Sequence, residues 1–205
     1  MFMKYWKFMI ILFLIIFLMT AATPGKMTAG GDREVIVLKQ LQGEVQYKSQ
    51  GWWIFTGTWE TVEDQIELEK GDYIKTGNQG RAELFYLQEA RILIEKNSKL
   101  QLQEDKRGEL QVKKLKLDQG SVIIDFMQNL KEKMSFEVET PTAVAGVRGT
   151  RFRVTVRNSE ETIVSVEEGK VKVTTDETSV RVKKGETAVV PDKSSRPEIK
   201  QFDSG

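Results

Sequence analysis

Three groups of side chains in this chain of 205 residues could carry chemistry. Acidic pairs recur as Glu63-Asp64, Glu160-Glu161 and Glu167-Glu168, and two carboxylates are what acid and base catalysis of glycoside cleavage requires. Neighbours on a strand point to opposite faces, so adjacency alone does not bring these carboxylates together, and a solvated turn is their ordinary place. The second candidate is Arg148 within Gly146-Val147-Arg148-Gly149. Glycines allow a close backbone approach, and a guanidinium offers a planar fork of donors to a carboxylate or phosphate. The competing role is structural, with Arg148 folded inward at a crossing between sheets and Thr150 bonding the turn. The third is the aromatic group Trp52, Trp53, Phe55 and Trp59, on an expected hairpin around Gly57. Exposed, these rings make a contact surface for sugar or protein. Alternation separates Trp52 from Trp53 by face, so at least one of them packs into the core or an edge.

The inventory removes most other chemistry. With no cysteine and no histidine, the chain has no disulfide, thiolate nucleophile, Ser-His-Asp triad, Cys-bound zinc or histidine-bound metal. No Asp-x-Asp-x-Asp-Gly loop marks a calcium site. We therefore expect a non-enzymatic protein with no metal and no cofactor. Lys and Arg total 31 against 30 Asp and Glu. The signs are interleaved without a visible basic stripe, which argues against a nucleic-acid partner held by phosphate neutralisation.

The elements that must position these groups begin after an N-terminal apolar segment. Lys4 and Lys7 precede an apolar run from Phe8 to Met19, then Thr20, Ala21, Ala22, Pro24 and Gly25. That order is the layout of a secretory signal, and the run is short for a spanning helix. The expectation is a signal peptide over residues 1–22, with an uncleaved anchor that meets the membrane through residues 5–22 as the alternative. A linker over 23–34, a β domain over 35–192 and a mobile tail over 193–205 follow. The positive charge before the run places the bulk of the chain outside the cytoplasm, in the periplasm, at the cell surface or facing outward from the membrane.

From Val35 the pattern has period two. Ala82, Leu84 and Tyr86 share one face, as do Phe152, Val154 and Val156, and the segments around Leu100, Phe136 and Val180 alternate likewise. Leu110 and Val112 are out of phase with Leu115 and Leu117 across Lys113-Lys114, which predicts a β-bulge there. Roughly a dozen short strands are expected, in a sandwich, jelly roll or β-roll.

Two blocks are specific enough to carry a family resemblance. Thr140-Pro141-Thr142-Ala143-Val144-Ala145-Gly146-Val147-Arg148-Gly149-Thr150 resembles the central motif of the FecR domain. Upstream, Gly71-Asp72, Thr76-Gly77 and the residues around them are similar to that family's Gly-Asp and Thr-Gly pattern. Trp59 falls where members often carry a tryptophan. The likeness spans about residues 35–191, and it departs at Gln88-Glu89-Ala90, where members usually have an aspartate-glycine turn.

The resemblance implies a jelly-roll-like β fold, an extracytoplasmic location and, in the best-known members, a sensor that passes an envelope signal to a sigma factor. Signalling members carry a cytoplasmic N-terminal segment, for which only residues 1–7 are available here. The expected function is a protein-interaction, signalling or structural module of the cell envelope, its partner another envelope protein. A carbohydrate or cell-wall-binding module using Trp52, Trp53 or Trp59 is one alternative. A regulator of sigma-factor signalling working with a separate cytoplasmic partner is the other.

Overall fold

The computed structural model describes residues 35–51, 57–86, 90–126, 134–147, 149–158 and 160–201. The segment expected to be a signal or anchor lies outside them. Seventeen strands form: β1 (Ile36–Gln42), β2 (Val45–Lys48), β3 (Glu60–Thr61), β4 (Gln65–Leu68), β5 (Tyr73–Thr76), β6 (Arg81–Tyr86), β7 (Ala90–Ile94), β8 (Lys99–Arg107), β9 (Leu110–Phe126), β10 (Met134–Glu139), β11 (Val144–Val147), β12 (Arg151–Arg157), β13 (Glu161–Glu168), β14 (Lys170–Thr174), β15 (Ser179–Lys183), β16 (Glu186–Val190) and β17 (Glu198–Gln201). No helix occurs among the described residues.

The alternation read from the sequence closes into cross-strand rows. Leu38, Leu84, Ile92, Ile124, Phe152 and Val166 stand side by side across β1, β6, β7, β9, β12 and β13. All six are fully buried, and burying each is worth about 1.5–3 kcal/mol relative to exposure. A matching row, Leu102, Leu115, Val138, Ala145, Val173 and Val180, crosses β8, β9, β10, β11, β14 and β15. The first row belongs to a sheet ordered β4-β1-β6-β7-β9-β12-β13-β16-β17. The second belongs to a sheet ordered β3-β2-β5-β8-β9-β10-β11-β14-β15. Their apolar faces share one core, and every pairing is antiparallel except β9 with β10.

Strand β9 joins the two sheets. Up to Gln119 it pairs with β8, and from Gly120 it pairs with β12 and, from Val122, with β7. Gly120 makes the change of sheet possible, with φ at +90°, a conformation that side chains disfavour. Ser98 packs against it. Its hydroxyl donates to Glu95 O at 2.7 Å and accepts from Ser121 N at 3.0 Å, while its own N–H donates to Thr76 Oγ1 at 2.9 Å.

Three sequence expectations change here. The β-bulge expected at Lys113-Lys114 is absent, because the register runs unbroken through both residues on the β8 and the β10 side. The phase break has another cause: Lys113 takes a core-facing position between Glu104 and Phe136 and is only 2 % exposed. The register shift falls instead between Lys99 and Leu100, where β9 carries the extra Asp118. Strands exceed the dozen expected in part because β3 has two residues and β17 has no buried one, so neither shows an alternation. For the same reason Glu198–Gln201, placed in the tail by the sequence, forms β17 along β16. The residues between Tyr86 and Ala90 lie outside the description, yet the β6–β7 hairpin that they connect pairs through Tyr86 and Ala90.

Candidate interaction surface

The motif residues singled out by the sequence mostly hold the scaffold. Asp72 is buried, and its carboxylate accepts the N–H groups of Glu69 at 2.8 Å and Gln50 at 3.1 Å, pinning the turn that contains Gly71. Thr76 donates to Glu95 O at 2.7 Å, and the Gly77 N–H donates to Glu44 O at 2.9 Å. Pro141 sits in a tight turn closed by the Thr140 N–H on Ala143 O at 2.8 Å. Thr140 and Thr142 converge on the Thr162 hydroxyl at 2.7 and 2.6 Å, all three buried. Gly149 has φ +69°, and the Thr150 hydroxyl donates to Lys170 O at 3.2 Å. Arg148, immediately before Gly149 in the motif, lies outside the described residues.

Because the threonine cluster is buried, replacing Thr162 by valine should lower stability by about 1–2 kcal/mol. Urea denaturation measures this, and an unchanged midpoint would show that the hydroxyls do not cooperate.

Two of the acidic candidates are engaged in ion pairs. Arg151 holds Glu167 at 2.8 Å, and Arg157 holds Glu161 at 3.5 Å. Among the described residues no cluster of acidic side chains could hold a metal ion. Trp52 and Trp53 lie outside the description. Trp59 is half-buried, with the Lys75 ammonium 5.9 Å from its ring centre, a cation–π contact that occupies one ring face. Nearby, Tyr47 donates to Glu60 at 2.8 Å, and that bond raises the phenol above its ordinary pKa.

The surface that the sequence did not reveal lies on the outer side of β10, β11, β14 and β15. A groove of about 800 Å³ runs over Gly146 and Glu137 and beside Lys170, Lys172, Arg181 and Lys183. Lys170 stands directly opposite Lys183, and Lys172 opposite Arg181. Gly146, the neighbour of Lys172 on β11, lacks the side chain that would fill the groove. Glu137, the acid in the lining, is already held by the two terminal guanidinium nitrogens of Arg107 at 2.7 and 3.0 Å. Among the described residues no carboxylate forms an ion pair with any of the four cations. Like charges directly opposite one another are unfavourable in a sheet, so this arrangement is open to an anionic partner. The sequence signal was present in Lys170-Val171-Lys172 and Arg181-Val182-Lys183, but valines break the charge run and only the hairpin register stacks the cations.

Residues 72–172 match the FecR protein family, a span that contains Asp72, Thr76, Gly77, Pro141, Gly146, Gly149 and Thr150. Two crystal structures of a candidate anti-sigma factor from Parabacteroides distasonis ATCC 8503 share the fold, each with a TM-score of 0.55 at 20 % identity. The similarity covers 64 % of this chain and 60 % of that protein. No curated protein matches the sequence.

Proposed function

We propose that this chain, which carries a FecR domain over residues 72–172, is a non-enzymatic module of sigma-factor signalling in the cell envelope that works by engaging another protein. The FecR match is the observation that carries this reading. The likeness in fold to a candidate anti-sigma factor supports it, as does the secretory layout of the first 22 residues. In this reading the two facing sheets are a jelly-roll-like sandwich held outside the cytoplasm, and the signal crosses the membrane with the help of a separate cytoplasmic partner.

Deleting the chain should change transcription from one coherent set of promoters, and re-expressing it should restore them. Transcript profiling of the deletion and complemented strains is the test. An unchanged profile under envelope stress would overturn the assignment to sigma-factor signalling.

A further inference from the structure

We infer that the outer face and free edge of the β14–β15 hairpin form a docking site for an extended protein segment with acidic residues at alternate positions. This rests on the interaction-module reading and assigns it a place. Strand β15 ends its sheet, since among the described residues its only ladder is with β14. The Thr175 N–H bonds Thr178 O at 2.8 Å and sets the alternation of the hairpin. It makes Val173–Val180 and Val171–Val182 the bonded pairs, so the backbone N–H and C=O groups of Ser179 and Arg181 point away from β14. Those groups are a template for one more strand.

Lysine and arginine on an edge strand also deter unwanted pairing, which accounts for Arg181 and Lys183. It does not account for Lys170 and Lys172, which sit opposite them on an interior strand, where repulsion has no protective role. The two cation pairs recur at every second residue, about 6.8 Å apart along the strand. A strand added to β15 presents its own outward side chains at the same pitch, so alternate glutamates or aspartates meet the pairs in turn. A carboxylate already reaches this edge from within the chain: Glu186 accepts the Lys183 N–H at 2.8 Å.

The test is fluorescence anisotropy of the full chain with a labelled twelve-residue peptide of alternating glutamate and threonine. Saturable, salt-sensitive binding is expected, weakened about tenfold in K172E/R181E and lost when prolines replace the peptide's central threonines. Should K172E/R181E melt below the wild type, Lys170→Gln with Lys183→Gln, which removes charge without reversing it, carries the comparison with a loss of about threefold. Absence of saturable binding would overturn the site. So would equal binding of the proline peptide, which means charge without strand addition, or phosphatidylglycerol vesicles that bind and are not displaced by the peptide, which means a membrane surface. If K172E/R181E still captures the native envelope partner of the wild type, this site falls while the interaction module stands.

Discussion

Replacing Gly120 by alanine is expected to destabilise the protein by about 3–5 kcal/mol, from overpacking combined with the strain of a side chain at positive φ. A Cβ there would come well inside 3.0 Å of Ser98 Cα, Cβ and Oγ, and Ser98 is fully buried. Ser98 cannot yield alone. It is tied to Thr76, Glu95 and Ser121: its N–H donates to Thr76 Oγ1, its carbonyl accepts from Thr76 N, and its hydroxyl accepts from Ser121 N while its single proton is shared between Glu95 O and Ser121 O. Moving it would loosen β5, the β7–β8 turn and the sheet change of β9 together. A urea midpoint within experimental error of the wild type would show that β9 can change sheets without the glycine. Gly108, by contrast, has φ +66° with nothing near its Cβ position, so Gly108→Ala should cost only the backbone strain, about 1 kcal/mol.

The buried ion pair carries the second large effect. Lys113 is 2 % exposed, and its ammonium donates to Glu104 at 2.7 Å, with Lys70 a further 3.7 Å partner of the same carboxylate. Removing one member of a buried pair costs more than the pair contributes, because desolvation of the other charge is then offset less. Glu104→Ala should therefore cost about 3 kcal/mol, at the low end for such pairs because the Glu104 side chain keeps 26 % of its surface exposed. Glu104→Leu combined with Lys113→Met should recover most of that loss, since an apolar pair of similar volume removes both desolvation penalties. Failure of the double variant to recover would mean that Lys113 does more than balance Glu104.

The same pair predicts a pH dependence. The hydrogen bond from Lys113 holds the Glu104 carboxyl below the ordinary glutamate range, against the opposing effect of burial. A carboxyl whose folded pKa is lowered stabilises the fold fully above its unfolded value, about 4.3. The contribution disappears as the pH falls from there through the lowered folded value. The stability difference between wild type and Glu104→Gln should thus be flat at neutral pH and shrink below about pH 4. A difference that grew on acidification would contradict the pairing.

Much of the fold could be read before the structure. Alternation at Ala82-Leu84-Tyr86 and Phe152-Val154-Val156 marked strands whose inward residues lie in the core, because a half-buried strand exposes its period directly. What alternation cannot mark is an element with no buried face, and β3 and β17 are of that kind. Lys113 misled for a related reason. A lysine in a core-facing position looks like a missing apolar residue, and the resulting phase shift imitates a bulge until its partner Glu104, nine positions away, is known.

The site was legible only in part. The residues of the Thr-Pro and Thr-Gly motifs were recognisable, but what they do is hold turns: Asp72, Thr76 and Thr150 spend their polar side-chain atoms on the protein's own backbone, and Thr140 divides its hydroxyl between the backbone and Thr162. The cationic face was hidden because charge in sequence is one-dimensional. Lys170 meets Lys183 only through the register of a hairpin that joins residues 13 positions apart.

That the chain engages a protein in the envelope can be tested by cross-linking in intact cells. The tagged full chain would be cross-linked, purified from the envelope fraction and analysed by mass spectrometry for its partners and its own N-terminus. One reproducible protein partner is expected, on a chain beginning at Thr23. Recovery of glycan with no protein partner would contradict it.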